Sequence, residues 1–373
     1  MRKIVFLTGT RADFGKIKAL VQRVESHQSF EPYLFVTGMH LMEEYGYTLI
    51  EVERCGFKNL ETFHNHTDEA TMDLTLAKTI NGFSKYVKDI KPDLIVVHGD
   101  RVEALAGAIV GSLNNILVAH IEGGELSGTI DELIRHSVSK LSHVHYTSND
   151  EAKRRLVQMG ELDDTIFTIG SPDVDIMFSN NLPSLEEVKS YYQIDFEAYG
   201  LAMYHPVTTE IDTIAEMANA FVDGLIASKK NYVVIYPNND LGSKYILEAY
   251  KKFENNPRFK VFPSVRFEYF LTLLKNAEFM IGNSSAGVRE APYYGVPTIN
   301  VGNRQNNRAN ALQIINIESK VDAIVKAVES AINTEFTKTN SFGKGNSAAL
   351  FIESLESSTL WAINHQKQFK DAF

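Results

Sequence analysis

The sequence is short of cysteine, of positive charge and of long apolar runs, and each shortage removes a class of function. A single cysteine, Cys55, among 373 residues excludes an intramolecular disulfide and any metal site built from several thiolates. No motif around it would activate a thiolate, so packing or plain exposure is its expected role. Lysine and arginine number 37 against 47 acids, a net charge of −10 with histidine neutral. Such a balance argues against general nucleic-acid binding and leaves room for a local positive pocket that takes an anionic ligand. No uninterrupted apolar stretch approaches the roughly 18 residues of a membrane span. Arg2 and Lys3 precede Ile4-Val5-Phe6-Leu7, but this run stops at Thr8-Gly9-Thr10, short of the roughly 7 or more residues of a secretory core. The expectation is a cytoplasmic protein without a membrane partner.

What is present is ordinary globular composition, 44% hydrophobic and 23% charged. At roughly 150 residues per domain the length allows two or three domains. Short, β-branched apolar runs recur, each closed by Gly, Asn or Asp and followed by a longer helical pattern. They are Ile4–Leu7, Tyr33–Val36, Leu94–Val97, Ile116–His120, Val144–Thr147 and Ile166–Ile169, then Leu201–Tyr204, Tyr232–Tyr236, Phe259–Phe262, Phe279–Ile281 and Thr298–Val301. Runs without polar alternation suit strands buried on both faces of a parallel sheet. Two series of strands alternating with helices predict an α/β protein of two Rossmann-like, doubly wound domains. The proline at Leu182-Pro183-Ser184 marks the boundary, giving domains 1–182 and 183–346, with a helical tail over 347–373. Residues just after strands are the first to examine, because open α/β sheets bind ligands at the carboxyl ends of their strands, in the crevice between two such units.

Two acids stand there. Leu94–His98 runs into Gly99-Asp100-Arg101, and Leu117–Ile121 into Glu122-Gly123-Gly124-Glu125. In one parallel sheet Asp100 and Glu122 emerge at the same edge, and acids sharing a cleft divide proton removal from delivery. Asp131 follows in Thr129-Ile130-Asp131-Glu132, a capping-box pattern in which Thr129 caps and Glu132 reciprocates. The plain reading of Asp131 is an acid favoured by the helix dipole. Two segments suit anions. Gly9-Thr10-Arg11-Ala12-Asp13-Phe14-Gly15-Lys16 opens a helix after the first strand, with Arg11 as a charged donor. Gly282-Asn283-Ser284-Ser285-Ala286-Gly287 exposes backbone amides at a strand-to-helix turn, with Glu290 one turn on for ribose hydroxyls. Serine caps and a dipole-favoured glutamate explain the same pattern without a ligand. His205, Arg266 and Arg304 are further candidates for a phosphate or sugar. Gly343-Lys344-Gly345-Asn346-Ser347-Ala348 fits G-x-G-x-x-A without a strand before it, so dinucleotide binding is not expected. His64-Asn65-His66 and His143-Val144-His145 lack acidic or cysteine partners at ligand spacing, and Ser284 lacks the context of a nucleophile elbow.

Together with His98-Gly99-Asp100-Arg101, His120-Ile121-Glu122-Gly123-Gly124-Glu125, His205-Pro206-Val207-Thr208-Thr209 and Gly302-Asn303-Arg304-Gln305, these segments resemble the UDP-N-acetylglucosamine 2-epimerases, in order, from about residue 3 to about residue 310. The hydrolysing branch that feeds bacterial sialic-acid synthesis fits best. The resemblance implies two Rossmann-like domains facing a cleft (GT-B type) and a C-terminal helix returning to the first. It implies UDP-N-acetylglucosamine and UDP as partners, no cofactor, no metal and a homodimer or homotetramer. Asp100, Glu122 and Asp131 match the family's catalytic acids. Arg11, His205, Asn238, Ser284, Ser285, Glu290 and Arg304 match its nucleotide-contacting positions, with the amides through Ala286 and Gly287 at the diphosphate and Arg101 on the sugar-phosphate side. Gly15 stands where some members carry serine. The alternatives are a non-hydrolysing epimerase, an epimerase of a 2,4-diacetamido-trideoxy sugar nucleotide and, outside the family, a GT-B glycosyltransferase or a non-catalytic sugar-nucleotide sensor.

Overall fold

The computed structural model describes residues 1–371 except 67–70, 128, 180, 306–313 and 335. Its elements form two compact units. The first comprises Met1–Glu125, Asp131–Ser179 and Ser341–Phe373, the second Leu126–Ile130 and Asn180–Asn340. The first unit therefore resumes at Ser341, ahead of the expected tail at 347. Ser171 N donates to Phe342 O at 2.6 Å and Gly343 packs directly against Gly170, so the chain is already docked before the last helices begin. The segment that fits G-x-G-x-x-A is part of this docking turn.

Strands of the first unit are β1 (Arg2–Thr8), β2 (Phe30–Val36), β3 (Leu60–Thr62), β4 (Leu94–His98), β5 (Leu117–Ile121), β6 (Val144–Thr147) and β7 (Ile166–Thr168). They pair in the order β3-β2-β1-β4-β5-β6-β7, every neighbour parallel. All of β5 and all but the last residue of β4 are buried, as expected of strands covered on both faces. On one face the core joins Ile4, Phe6, Leu94, Val96 and Ile121 to Ile17, Leu20 and Val21 of the helix Arg11–Glu25. Phe351 of the helix Ser347–Glu356 completes it, edge-on to Tyr146 at 4.9 Å. That helix is seated by Asp175, whose two carboxylate oxygens accept from Ser347 N and Ala348 N at 2.8 Å each, satisfying amides that a helix start leaves open.

The second unit repeats the plan with β8 (Gly200–Met203), β9 (Tyr232–Ile235), β10 (Phe259–Phe262), β11 (Phe279–Gly282), β12 (Thr298–Val301) and β13 (Ile314–Ile317), in the parallel order β10-β9-β8-β11-β12-β13. β3 and β13 were not among the expected strands. Both are edge strands with half-exposed or exposed residues, so neither carries a buried apolar run. Among the described residues, no helix is long and apolar enough to cross a membrane.

Candidate functional site

Strand order reverses between β1 and β4 in the first sheet and between β8 and β11 in the second. Such reversals open a crevice at the carboxyl ends of the strands, where α/β sheets take their ligands. Each unit carries its polar residues there.

In the first unit, β1 leads through Gly9 into the helix Arg11–Glu25, capped by Thr10, whose side chain accepts from Asp13 N. Asp13 Oδ2 accepts from Thr8 Oγ1 and Gly9 N at 2.9 Å each. Its other oxygen lies 3.0 Å from Nδ1 of His98, the last residue of β4. The second ring nitrogen of His98 stands 3.2 Å from Glu122 Oε2. Glu122 Oε1 accepts from Ser171 Oγ and lies 3.6 Å from Lys16 Nζ, which in turn lies 3.4 Å from Asp173. Charges thus alternate through a buried cluster. Burial opposes protonation of His98, but the carboxylates of Glu122 and Asp13 outweigh it and raise its pKa to about 9. His120, also buried, sits against Gly99 O at 2.8 Å and Ser139 Oγ at 3.0 Å, and burial lowers it to about 3 despite the carbonyl partner. Glu122 itself has φ +65°, a left-handed conformation that costs a non-glycine residue about 1–3 kcal/mol.

Asp100 is held by Arg135, which is 2% exposed on the helix Ile130–Leu141. Arg135 Nη1 also lies 3.7 Å from Glu125, whose Oε1 accepts from Ser148 at 2.6 Å. Asp131 precedes Arg135 by one helical turn, on the same face. Asp100 is thereby tied to the helix face that carries Asp131, while Glu122 belongs to the His98 cluster one strand over. Glu132, expected as a capping partner, stands 3.5 Å from His136. The two arginines of this unit expected to meet a ligand both stand near acids: Arg11 lies 3.8 Å from Glu51, and Arg101 Nε lies 3.4 Å from Glu103.

In the second unit Asn283, just beyond β11, organises the turn. Its side chain accepts from His205 N at 2.6 Å and donates to His205 O at 2.8 Å, while its carbonyl accepts from Arg304 Nη1 at 3.2 Å and Gln305 Nε2 at 2.8 Å. His205 Nδ1 accepts from Asn238 N at 3.1 Å and faces Asn238 Oδ1 at the same distance. The histidine, Asn238, Arg304 and the Ser284–Ala286 turn therefore form one constellation. Glu290 does not lie inside a continuous helix. It joins two single-turn helices, Ala286–Arg289 and Ala291–Tyr294, because Pro292 lacks the N–H that would bond Val288 O. Gly287 makes room for Thr298, which donates to its carbonyl at 2.6 Å. Arg266 is not a solvated surface charge, since its guanidinium covers the rings of Tyr191 and Tyr269 at 4.7 and 5.3 Å.

Asp13, Lys16, His98, Ser171, Asp173, Glu125 and Arg135 escaped the site reading of the sequence. Arg135 carried a signal in its spacing from Asp131, and Ser171 and Asp173 in their place just after β7. Among the described residues no group of three or more histidine, cysteine, aspartate or glutamate side chains is placed to hold a metal ion. His145 is bonded to Glu161 at 2.9 Å, and His143 accepts from Val118 N at 3.1 Å.

A family model described as UDP-N-acetylglucosamine 2-epimerase matches residues 22–356 of this chain. A UDP-N-acetylglucosamine 2-epimerase of Neisseria meningitidis is 48% identical, over 100% of this chain and 99% of its own. A UDP-N,N'-diacetylbacillosamine 2-epimerase (hydrolyzing) of Legionella pneumophila is 32% identical, over 93% of this chain and 94% of its own. Among solved structures, the UDP-GlcNAc 2-epimerase of Methanocaldococcus jannaschii in complex with UDP-GlcNAc and UDP matches with a TM-score of 0.83 at 25% identity, covering 95% of this chain and 99% of that one.

Proposed function

Because the chain belongs to the UDP-N-acetylglucosamine 2-epimerase family, we propose that it is a hydrolysing member, converting UDP-N-acetylglucosamine and water into N-acetylmannosamine and UDP at the entry to sialic-acid synthesis. A base removes the proton from sugar carbon 2. The electron pair forms the double bond between carbons 1 and 2, and the carbon 1–oxygen bond breaks with its electrons going to UDP. Water then adds across the resulting 2-acetamidoglucal, its oxygen to carbon 1 and a proton to carbon 2 on the opposite face. The reaction needs acid–base groups at the ring and stabilisation of the departing diphosphate.

Asp100, Glu122 and Asp131 are assigned the proton transfers. The observation that carries this is their setting: Asp100 and Glu122 follow adjacent parallel strands at the reversal of the sheet, each is backed by buried cationic side chains, and Glu122 is held with φ +65°. The nucleotide falls to Arg11, His205, Asn238, Ser284, Ser285, Ala286, Gly287, Glu290 and Arg304. Glu290 takes the ribose, and Arg101 the sugar-phosphate side. The hydrolytic outcome is favoured by the similarity to the Legionella protein, whose name carries it. The same similarity favours a second reading, in which the sugar bears an acetamido group at carbon 4.

Turnover of UDP-N-acetylglucosamine in deuterated water, followed by proton NMR, tests the reading. N-acetylmannosamine carrying deuterium at carbon 2, together with free UDP, is the expected product pair. UDP-N-acetylmannosamine would overturn the hydrolytic assignment, and turnover confined to a 2,4-diacetamido-trideoxy sugar nucleotide would favour the second reading.

A further inference from the structure

Three histidines of the first unit have contrasting settings. His40 and His120 face hydroxyl and carbonyl groups: His40 contacts Thr8 at 3.2 Å and Thr48 at 2.7 Å, and His120 contacts Ser139 and Gly99. Burial is the largest influence on both and lowers His40 to about 4 and His120 to about 3, leaving neutral rings. His98 has a different setting. It ends β4 on the face where Leu94 and Val96 enter the core, so an apolar column closes on an imidazole with a carboxylate at each nitrogen. Asp13 is itself fixed by Thr8, by Gly9 and by its place in the first turn of a helix, where the dipole favours a negative charge. The ring is thereby flanked, with Nδ1 3.0 Å from Asp13 and Nε2 3.2 Å from Glu122, within ion-pair distance of both carboxylates.

We propose that His98 is a positioning residue for the epimerase reaction: set between Asp13 and Glu122, it keeps the Glu122 carboxylate in place, so that Asp13, His98 and Glu122 act as one unit. The inference rests on the proposed function only in giving Glu122 a proton to move; the charge state of the ring stands apart from it. The other charged or titratable groups around this unit are Lys16 beside Glu122, Asp173 beside Lys16, His120 on β5 and His40 behind Asp13. Lys16 and His98 together set two positive groups on Glu122, so loss of the imidazolium leaves the carboxylate with one. The proton affinity and placement of Glu122 then change together, and a group that must move a proton at the sugar ring is no longer matched to its task.

Two measurements test this. In the first, the histidine side chains of the wild-type protein are followed by nitrogen-15 NMR between pH 6 and 10. One ring is expected to keep both nitrogens protonated to about pH 9 and to disappear from the spectrum of His98→Asn. A His98 ring carrying a single proton at pH 7 would overturn the proposal, whether or not the protein turns over any sugar nucleotide. The second is the pH profile of kcat on UDP-N-acetylglucosamine. Wild type is expected to lose activity on an alkaline limb near pH 9. In Asp13→Asn, with only Glu122 left to offset burial, that limb moves down by at least about one pH unit. In His98→Asn, kcat falls by about 10²-fold with KM changed less than about threefold. An unmoved alkaline limb in folded Asp13→Asn, or a loss in His98→Asn confined to KM, would refute the positioning role. Absence of turnover by the wild type would count against the proposed function, with the NMR titration still deciding the state of His98.

Discussion

Replacing Gly282 by alanine isolates the strand-to-turn junction on which the second unit's constellation depends. Gly282 ends β11 with φ +133°, and a methyl group there would lie 1.9 Å from Met203 O and 2.6 Å from Met203 C. Both atoms are backbone of the neighbouring strand β8, so no side chain can rotate away. Overpacking costs about 1–3 kcal/mol and a left-handed conformation in a non-glycine residue about 1–3 kcal/mol more. The sum, about 2–6 kcal/mol, is a large share of the 5–15 kcal/mol that stabilises a typical domain, and for a unit of this size it lowers Tm by about 5–20 °C. The strain falls one residue before Asn283, which clasps His205 and receives Arg304. If as little as about 1.4 kcal/mol of it displaces that clasp, UDP affinity falls tenfold. Gly302→Ala is the control: Gly302 has φ +85° but nothing within 4 Å of the added methyl, so it bears the conformational cost alone. Differential scanning calorimetry and UDP titration calorimetry on both variants decide the matter. Wild-type Tm and UDP affinity in Gly282→Ala would refute the reasoning. Equal losses in the two variants would show that backbone conformation, rather than the clash with β8, sets the cost.

Asp100→Asn and Glu122→Gln are expected to lower kcat by about 10²–10⁴-fold in the sugar-nucleotide assay while UDP binding stays within a few-fold; near-normal kcat would remove that residue from the proton transfers. Glu161 tests the other buried charge cluster, where Lys140 at 2.7 Å, His145 at 2.9 Å and Lys367 at 2.5 Å surround one carboxylate. Burial opposes its ionisation, but these partners prevail and lower it to about 2, so its stabilisation is complete above the ordinary glutamate range and is lost as pH falls through about 2. Glu161→Gln is therefore expected to lower Tm at pH 7 by more than it does at pH 3, and equal deficits at both would contradict the assignment.

Most of the fold was legible because β1, β4, β5, β8 and β11 are apolar on both faces, a pattern that survives in one dimension. β3 and β13 were not, since an edge strand needs no continuous apolar run. Placing Asp100 and Glu122 at one sheet edge required only that their strands be parallel neighbours, and β4 pairs with β5. The partners of those acids are another matter. Asp13, His98, Glu122 and Asp173 come from four separate segments, and nothing local to any one of them announces an alternation of charge. His98 reads as the polar end of an apolar strand until β1 and β5 are laid on either side of β4. A local detail also shapes the turn at Glu290: the helical pattern after Ser285 is real, but Pro292 divides it.

Stability does not account for what the first unit places at the reversal of its sheet. Removing a charge from water costs several kcal/mol, and buried ion pairs are commonly no more stabilising than apolar side chains of the same volume. Here Lys16, Glu122, Asp173 and Arg135 are buried within the described structure, and Glu122 carries a strained backbone in addition. A unit selected for stability alone would fill this space as it fills the rest of the sheet, with valine, isoleucine and phenylalanine. The second unit shows the contrast, because its reversal is organised by the neutral side chain of Asn283 and by backbone carbonyls, with Arg304 as the cation bonded there. On the proposed function, the buried charge of the first unit and the hydrogen bonds around Asn283 in the second would serve two different tasks. Proton transfer needs groups whose ionisation is set in advance, whereas a diphosphate that must depart is better held by amides and hydroxyls than by a field strong enough to retain it.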